Sequence, residues 1–218
     1  MNKPVVCAAI TSNNVEAVKA AEPLVDMFEV RIDLIGEGWQ ALVSQLEKPW
    51  IACNRTREEG GNWQDSEARR KEELLKAVRL GAAMVDIELA TKNLNNAVSL
   101  IKKGAKCIIS SHNLKETPPL DKLEKIVKKE LAAGADICKV VTLAQKAEDN
   151  LTILSLIPKF PQAKIIALAM GPMGLTSRIL CPLLGGELTY AAIEKGAESA
   201  PGQITVSELQ NIYGMFKQ

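Results

Sequence analysis

The sequence predicts a (β/α)₈ barrel forming one domain over residues 1–218, and three observations carry that expectation. Short apolar runs alternate with longer amphipathic segments along the whole chain. The runs lack the polar alternation of a half-exposed sheet, which marks strands buried on both faces, as in a parallel sheet covered by helices. Eight such runs fall within 218 residues, or about 27 residues per unit, close to the smallest length that holds a strand and its crossover helix. An open doubly wound sheet would share the local pattern, but the short unit favours closure. No linker, low-complexity run or shift in composition divides the chain.

Taken in order, the first strand is read over residues 5–10, an apolar stretch that ends at Thr11 and Ser12 and is too short for the core of a signal peptide. The second, over 27–33, carries charges where a buried strand should be apolar. In Phe28-Glu-Val-Arg-Ile-Asp33 the period of two puts Glu29, Arg31 and Asp33 on one face and Val30 and Ile32 on the other. Buried charges must be paired, so this face is either an ion-pair layer inside the barrel or the lining of a pocket for a charged, hydroxylated ligand. The third strand, 50–54, leads into Arg55 and then Glu59-Gly60-Gly61 in a loop. Leu74, Leu75 and Val78 define a helix over about 66–80 that stops at Gly81. The fourth strand, 84–89, repeats the charged theme with Asp86 and Glu88.

The fifth strand, 106–111, runs into His112, the only histidine of the chain. A lone histidine is commonly structural, but at the C-terminal end of a barrel strand imidazole is placed for acid–base work near neutral pH. A helix follows, with Leu120, Leu123, Ile126, Val127 and Leu131 on one face and a solvated lysine-rich face opposite. Thr117-Pro118 is its expected start and Gly134 its stop. The sixth strand, 136–141, holds Lys139 between Ile137-Cys138 and Val140-Val141. Lysine is seldom fully buried. Either its stem reaches out to an edge, or its amine lies inside near cationic partners such as Arg31 or Arg178, which together with desolvation would lower its pKa and free a nucleophilic amine. After the seventh strand, 164–169, Gly171-Pro-Met-Gly174 is either a plain turn, the commoner case for such a motif, or the opening of a helix whose first amides, with Arg178, hold an anion. The eighth strand, 187–191, precedes Ser199-Ala-Pro-Gly-Gln203, either a plain turn or a lid.

Composition excludes several classes of function. Lys plus Arg number 27 against 26 Asp plus Glu, a net charge of +1, which disfavours a dedicated nucleic-acid binder. One histidine rules out a multi-histidine metal site, and five cysteines without a CxxC give little support to zinc or redox pairing. Four of the five lie in short apolar runs and read as buried reduced thiols, and with no signal peptide or spanning segment the expected compartment is cytoplasmic. No GxGxxG or GxxxxGK[ST] occurs, so no nucleotide cofactor is indicated.

Glu29-Val-Arg31, Arg55 with Glu59-Gly-Gly61, Ser110-Ser-His112, Lys139-Val-Val141, Met170-Gly-Pro-Met-Gly174 with Ser177-Arg178, and Ser199-Ala-Pro-Gly-Gln203 together resemble type I 3-dehydroquinate dehydratase. The motifs are individually short, but they stand in the family's order over nearly the whole chain. The resemblance implies a (β/α)₈ barrel, a homodimer, and dehydration of 3-dehydroquinate in the shikimate pathway of aromatic amino acid biosynthesis, with neither metal nor cofactor. It makes Lys139 the Schiff-base residue, His112 the proton donor and acceptor, and Glu59 the group that orients His112. Glu29, Arg31 and Arg55 would meet the substrate's polar groups, Arg178 its carboxylate, and Ser199 and Gln203 the closing loop. Asn113 and Leu114 depart from the family's usual residues after the histidine, which bears on packing over the substrate. The competing readings are a class I Schiff-base aldolase and a catalytically silent barrel whose inner charges are structural.

Overall fold

A computed structural model describes residues 3–216. Its eight strands are β1 (Val6–Ile10), β2 (Met27–Arg31), β3 (Trp50–Cys53), β4 (Met84–Glu88), β5 (Lys106–His112), β6 (Ile137–Leu143), β7 (Ile165–Met170) and β8 (Thr189–Ala192). The helices between them are α1 (Val15–Ala21), α2 (Ile32–Ile35), α3 (Trp39–Val43), α4 (Glu67–Arg79), α5 (Leu94–Ile101), α6 (Leu120–Ala132), α7 (Glu148–Leu154), α8 (Leu156–Lys159), α9 (Leu175–Leu183) and α10 (Val206–Met215). The strands pair in the order β7-β6-β5-β4-β3-β2-β1-β8, and every pair is parallel. Between the ends of that order, the Glu187 amide donates to the Ile165 carbonyl (2.8 Å). The result is the expected (β/α)₈ barrel, nearly closed.

Alternation along the strands separates two cores. Outward-facing Val6, Ala8, Phe28, Val30, Ala52, Val85, Ile87 and Ile109 pack beneath the helices. Leu123 and Val127 of α6 are fully buried on the other part of the wall, and burial of each such side chain contributes about 1.5–3 kcal/mol. The inward face changes character along β2 to β5. Met27 is followed two and four positions later by Glu29 and Arg31, Ile51 by Cys53 and Arg55, Met84 by Asp86 and Glu88, and Ile108 by Ser110 and His112. The barrel therefore has an apolar floor and a charged mouth at the C-terminal ends of the strands, where barrel enzymes carry their chemistry.

Two of the expected boundaries need correction. β2 ends at Arg31, and Asp33 lies in the helical turn α2 rather than in the strand. There its carboxylate takes both Nε (3.0 Å) and Nη2 (2.7 Å) of Arg31, so it braces that guanidinium instead of joining its face. α6 begins at Leu120 after Pro119, not at Thr117. The Thr117 hydroxyl is engaged elsewhere, with Thr142 Oγ1 (2.8 Å) and the Leu143 carbonyl (3.1 Å). Gly81 and Gly134 do end α4 and α6, both with φ of +92°, a conformation that favours glycine. All five cysteines are buried and free, and among the described residues no helix is long and apolar enough to cross a membrane.

Candidate active site

The mouth of the barrel opens into a cavity of about 380 Å³ lined by Glu29, Arg31, Arg55, Glu59, His112, Lys139, Arg178, Ser199 and Gln203. Every residue singled out from the sequence as catalytic or substrate-binding thus meets in one place. Apolar Leu114, Val141, Leu143, Leu168 and Met170 complete the walls.

Lys139 is 5% exposed, so its stem does not escape to an edge. Its surroundings differ from the expected cationic ones. Nζ donates to Glu29 Oε1 (3.1 Å) and Asp86 Oδ2 (2.8 Å), both buried. Burial is the largest single influence and favours the neutral amine, but Asp86 and Glu29 together reverse it and leave the pKa raised. The amine of the free protein is therefore an ammonium held by two carboxylates, not one neutralised by Arg31 or Arg178. Asp86 is in turn held well below the usual carboxylate range. Burial opposes its charge, but Arg55 and Lys139 outweigh that cost. Glu29, Cys53 and Asp86 bring potential metal-donor atoms within 4.8 Å of one another, and the Lys139 ammonium already bonds to both carboxylates of that trio.

Arg55 organises the opposite wall. It pairs with Asp86 Oδ1 (2.8 Å) and Glu88 Oε1 (3.2 Å) and donates to Ser110 Oγ (2.7 Å), which itself donates to Asp86 Oδ1 (2.6 Å). Behind Glu88 stands Arg70, a fully buried residue of α4, with Nη1 on Glu88 Oε2 (2.5 Å) and further bonds to Glu67, Thr91 and the Asn54 carbonyl. Although Arg55 lines the cavity, its guanidinium is largely engaged within the protein. Breaking a buried pair of this kind by removing one partner costs about 3–5 kcal/mol, so the network holds its members rigidly.

Glu59 reaches the cavity from the loop after β3. Its Oε2 accepts the His112 amide (3.0 Å) and lies 2.8 Å from His112 Nδ1. Gly61 makes this fold-back possible, since a Cβ there would run into the Arg55 carbonyl. Burial pushes the Glu59 carboxyl up to about 7 despite Arg55. The imidazole is pushed the other way, well below its ordinary value, by burial first and then by Arg55 and Lys139. His112 is accordingly neutral near pH 7, and an ionised Glu59 accepting from Nδ1–H leaves Nε2 free as a base.

Arg178 is 3% exposed. Among the described residues its Nε has no partner and its Nη2 makes only a long bond to the Pro201 carbonyl (3.4 Å). Burial alone lowers its pKa to about 10. Among the described residues it is the one cation of the cavity without a carboxylate partner, and a planar guanidinium in this state suits an incoming carboxylate. Two of the amides at the start of this helix are engaged elsewhere: the Ser177 amide donates to Asn150 Oδ1 (2.9 Å) and the Gly174 amide to the Gly171 carbonyl (3.0 Å). Of residues 171–178 only Arg178 lines the cavity.

The segment after β8 lies across the mouth. The Ser199 amide donates to Gln203 Oε1 (2.8 Å), Arg31 Nη1 reaches the Ser199 carbonyl (3.4 Å), and the Gly171 amide takes the Pro201 carbonyl (3.0 Å). Gly202, with φ of +74°, presses so close to Gly171 that a Cβ would clash with its carbonyl. Sequence reasoning singled out neither Tyr190, whose ring lies under the Lys139 nitrogen, nor Arg70. Nothing in the run Arg69-Arg70-Lys71 separates a buried arginine from its solvated neighbours.

A family model described as type I 3-dehydroquinase matches residues 4–218 of this chain. A 3-dehydroquinate dehydratase of Dehalococcoides mccartyi is 41% identical over 214 residues, covering 98% of this chain and 96% of that protein. One from Methanocaldococcus jannaschii is 37% identical over 219 residues, covering 97% and 98% respectively. Among solved structures, type I 3-dehydroquinate dehydratase from Clostridium difficile, with covalent modified comenic acid, superposes with a TM-score of 0.87 at 23% identity. That superposition covers 99% of this chain and 93% of the other, and it bears on the fold.

Proposed function

The chain belongs to the type I 3-dehydroquinase family, a group of carbon–oxygen hydro-lyases, and from that premise we propose that it converts 3-dehydroquinate to 3-dehydroshikimate through a Schiff base on Lys139. The observation that carries this reading is the buried amine of Lys139 sharing one cavity with the His112–Glu59 pair and the unpaired guanidinium of Arg178. We place the reaction in the shikimate route, in one barrel domain and without a cofactor. The family reading extends to a cytoplasmic homodimer, and light scattering on the purified protein decides the dimer.

Arg178 grips the substrate carboxylate and sets the ring in register with Lys139. His112, neutral and within the same cavity, takes a proton from the ammonium, and the freed amine attacks the C3 ketone. The nitrogen's second proton and the one on His112 leave with the carbonyl oxygen as water, and an iminium remains. Ammonium and iminium carry the same charge at the same atom. Glu29 and Asp86 therefore balance the site on both sides of this step, which explains why a raised lysine pKa is compatible with imine chemistry. The iminium draws electrons from the adjacent carbon, His112 removes the C2 proton, and the resulting enamine expels the C1 hydroxyl with that proton as water. Addition of water to the iminium then releases product and restores the amine.

Incubating the protein with 3-dehydroquinate and following the ultraviolet absorbance of the conjugated enone tests the activity. No enone from folded protein contradicts it. Arg178→Met is expected to lower kcat/KM by about tenfold to a hundredfold, mostly through KM, as loss of a charge-assisted bond of about 1.5–3 kcal/mol requires. An unchanged KM moves the carboxylate site elsewhere.

The raised Glu59 pKa has a pH consequence. The base-competent pair needs Glu59 ionised, so kcat/KM is expected to rise with pH through about 7. Glu59→Gln removes the titrating group, and should abolish that rise while lowering the plateau by on the order of tenfold. A rise that survives in the variant assigns the limb to another group.

A further inference from the structure

Beneath the reactive nitrogen lies a ring that the steps above do not use. Tyr190 stands on the inner face of β8, in register with Cys7 of β1, and is 4% exposed. Lys139 Nζ lies 4.1 Å from the centroid of its ring, well inside the distance at which an aromatic face attracts a cation. The phenol hydroxyl is buried and makes no hydrogen bond with any described residue. Burial first, and then Glu29, raise its pKa, so the phenol is neutral. A buried tyrosine ordinarily finds a partner for its hydroxyl and uses its ring as filler. Here the polar end is idle and the face is engaged.

We infer that Tyr190 is a positioning residue for Lys139, and that the face of its ring fixes the nitrogen in its two cationic forms, the ammonium of the free enzyme and the iminium of the intermediate. Glu29 and Asp86 bond to that nitrogen, Cys53 at the end of β3 and Arg55 just beyond it act on it, and its charge is felt by His112 on β5. The carboxylates draw the cation towards themselves, and the ring supplies a further anchor that takes no proton and forms no hydrogen bond. The neutral amine and the neutral carbinolamine gain little from the ring's quadrupole, so its removal unfixes the nitrogen and shifts the bound substrate away from the iminium.

The inference rests on the Schiff-base reading, and the experiment separates the two. Tyr190→Phe keeps the face and loses only the idle hydroxyl. It is expected to match the unsubstituted enzyme in kcat and to melt at the same or a higher temperature. Tyr190→Leu, with Tyr190→Met as the alternative should leucine fail to fold, is expected to lose about tenfold in kcat with KM changed by less than about threefold. Incorporating 3,4,5-trifluorophenylalanine at position 190 keeps the shape while weakening the quadrupole, and should lower the fraction of protein trapped as adduct by borohydride relative to the phenylalanine variant. The inference is overturned if the aliphatic variant turns over normally, if phenylalanine is as damaging as leucine, or if fluorination leaves the trapped fraction unchanged. Absence of adduct in the unsubstituted enzyme overturns the Schiff-base reading itself, and this inference with it.

Discussion

Lys139→Ala is expected to lower turnover of 3-dehydroquinate by on the order of 10⁴-fold or more, because in the proposed mechanism it removes the nucleophile that forms the imine rather than weakening a binding contact. The loss should appear in kcat and kcat/KM together, and no borohydride-dependent adduct should form. The substitution also has a structural cost. With the ammonium gone, Glu29 and Asp86 face each other without the cation that both contact, and loss of one member of a buried ion pair costs about 3–5 kcal/mol. Thermal melting must therefore accompany the assay. Lys139→Met, which fills more of the space, serves as a second inactive variant. Folded protein that still turns over at near-normal rates in either variant removes the imine from the mechanism.

His112→Ala should fail differently. Proton transfer by a positioned side chain contributes about 10²–10⁴-fold, and His112 is assigned to both imine formation and C2 proton removal. Nucleophilic attack can use other proton carriers slowly, whereas proton removal from carbon needs a base held in place. The variant is thus expected to accumulate substrate as a covalent adduct, visible by mass spectrometry, while product appears about a hundredfold more slowly or worse. If no adduct builds up, the role of His112 is confined to imine formation and another base takes the C2 proton. Stability should change little, because among the described residues the imidazole's one hydrogen bond is to Glu59, at the cavity edge.

How much of this was legible in the sequence depends on the distance over which each feature acts. A period of two within one strand is local, so Glu29 and Arg31, or Ser110 and His112, could be placed on an inner face from the chain alone. The unit length implied closure, and closure brought Glu59, His112, Lys139 and Arg178 into one cavity. The partners of the lysine were not legible, because Glu29 and Asp86 lie 110 and 53 residues away and their contact with Nζ depends on the register and curvature of five strands. Reading Lys139 beside Arg31 and Arg178 reversed the direction of its pKa shift. Asp33 was misplaced for a related reason: the alternation of β2 stops at Arg31, and nothing local in Arg31-Ile-Asp33 announces the helical turn. Tyr190 and Arg70 resemble ordinary core and surface residues in their own segments, and only their partners across the fold distinguish them.

The Lys139 amine as the point of covalent attachment is the claim on which the remaining roles depend. The measurement that tests it most directly is mass spectrometry of the protein after incubation with 3-dehydroquinate and sodium borohydride. A mass increase equal to one reduced substrate or product residue is expected, borne by the peptide that contains Lys139 and dependent on borohydride. Rapid conversion of 3-dehydroquinate with no such adduct, or an adduct on another lysine, would contradict it.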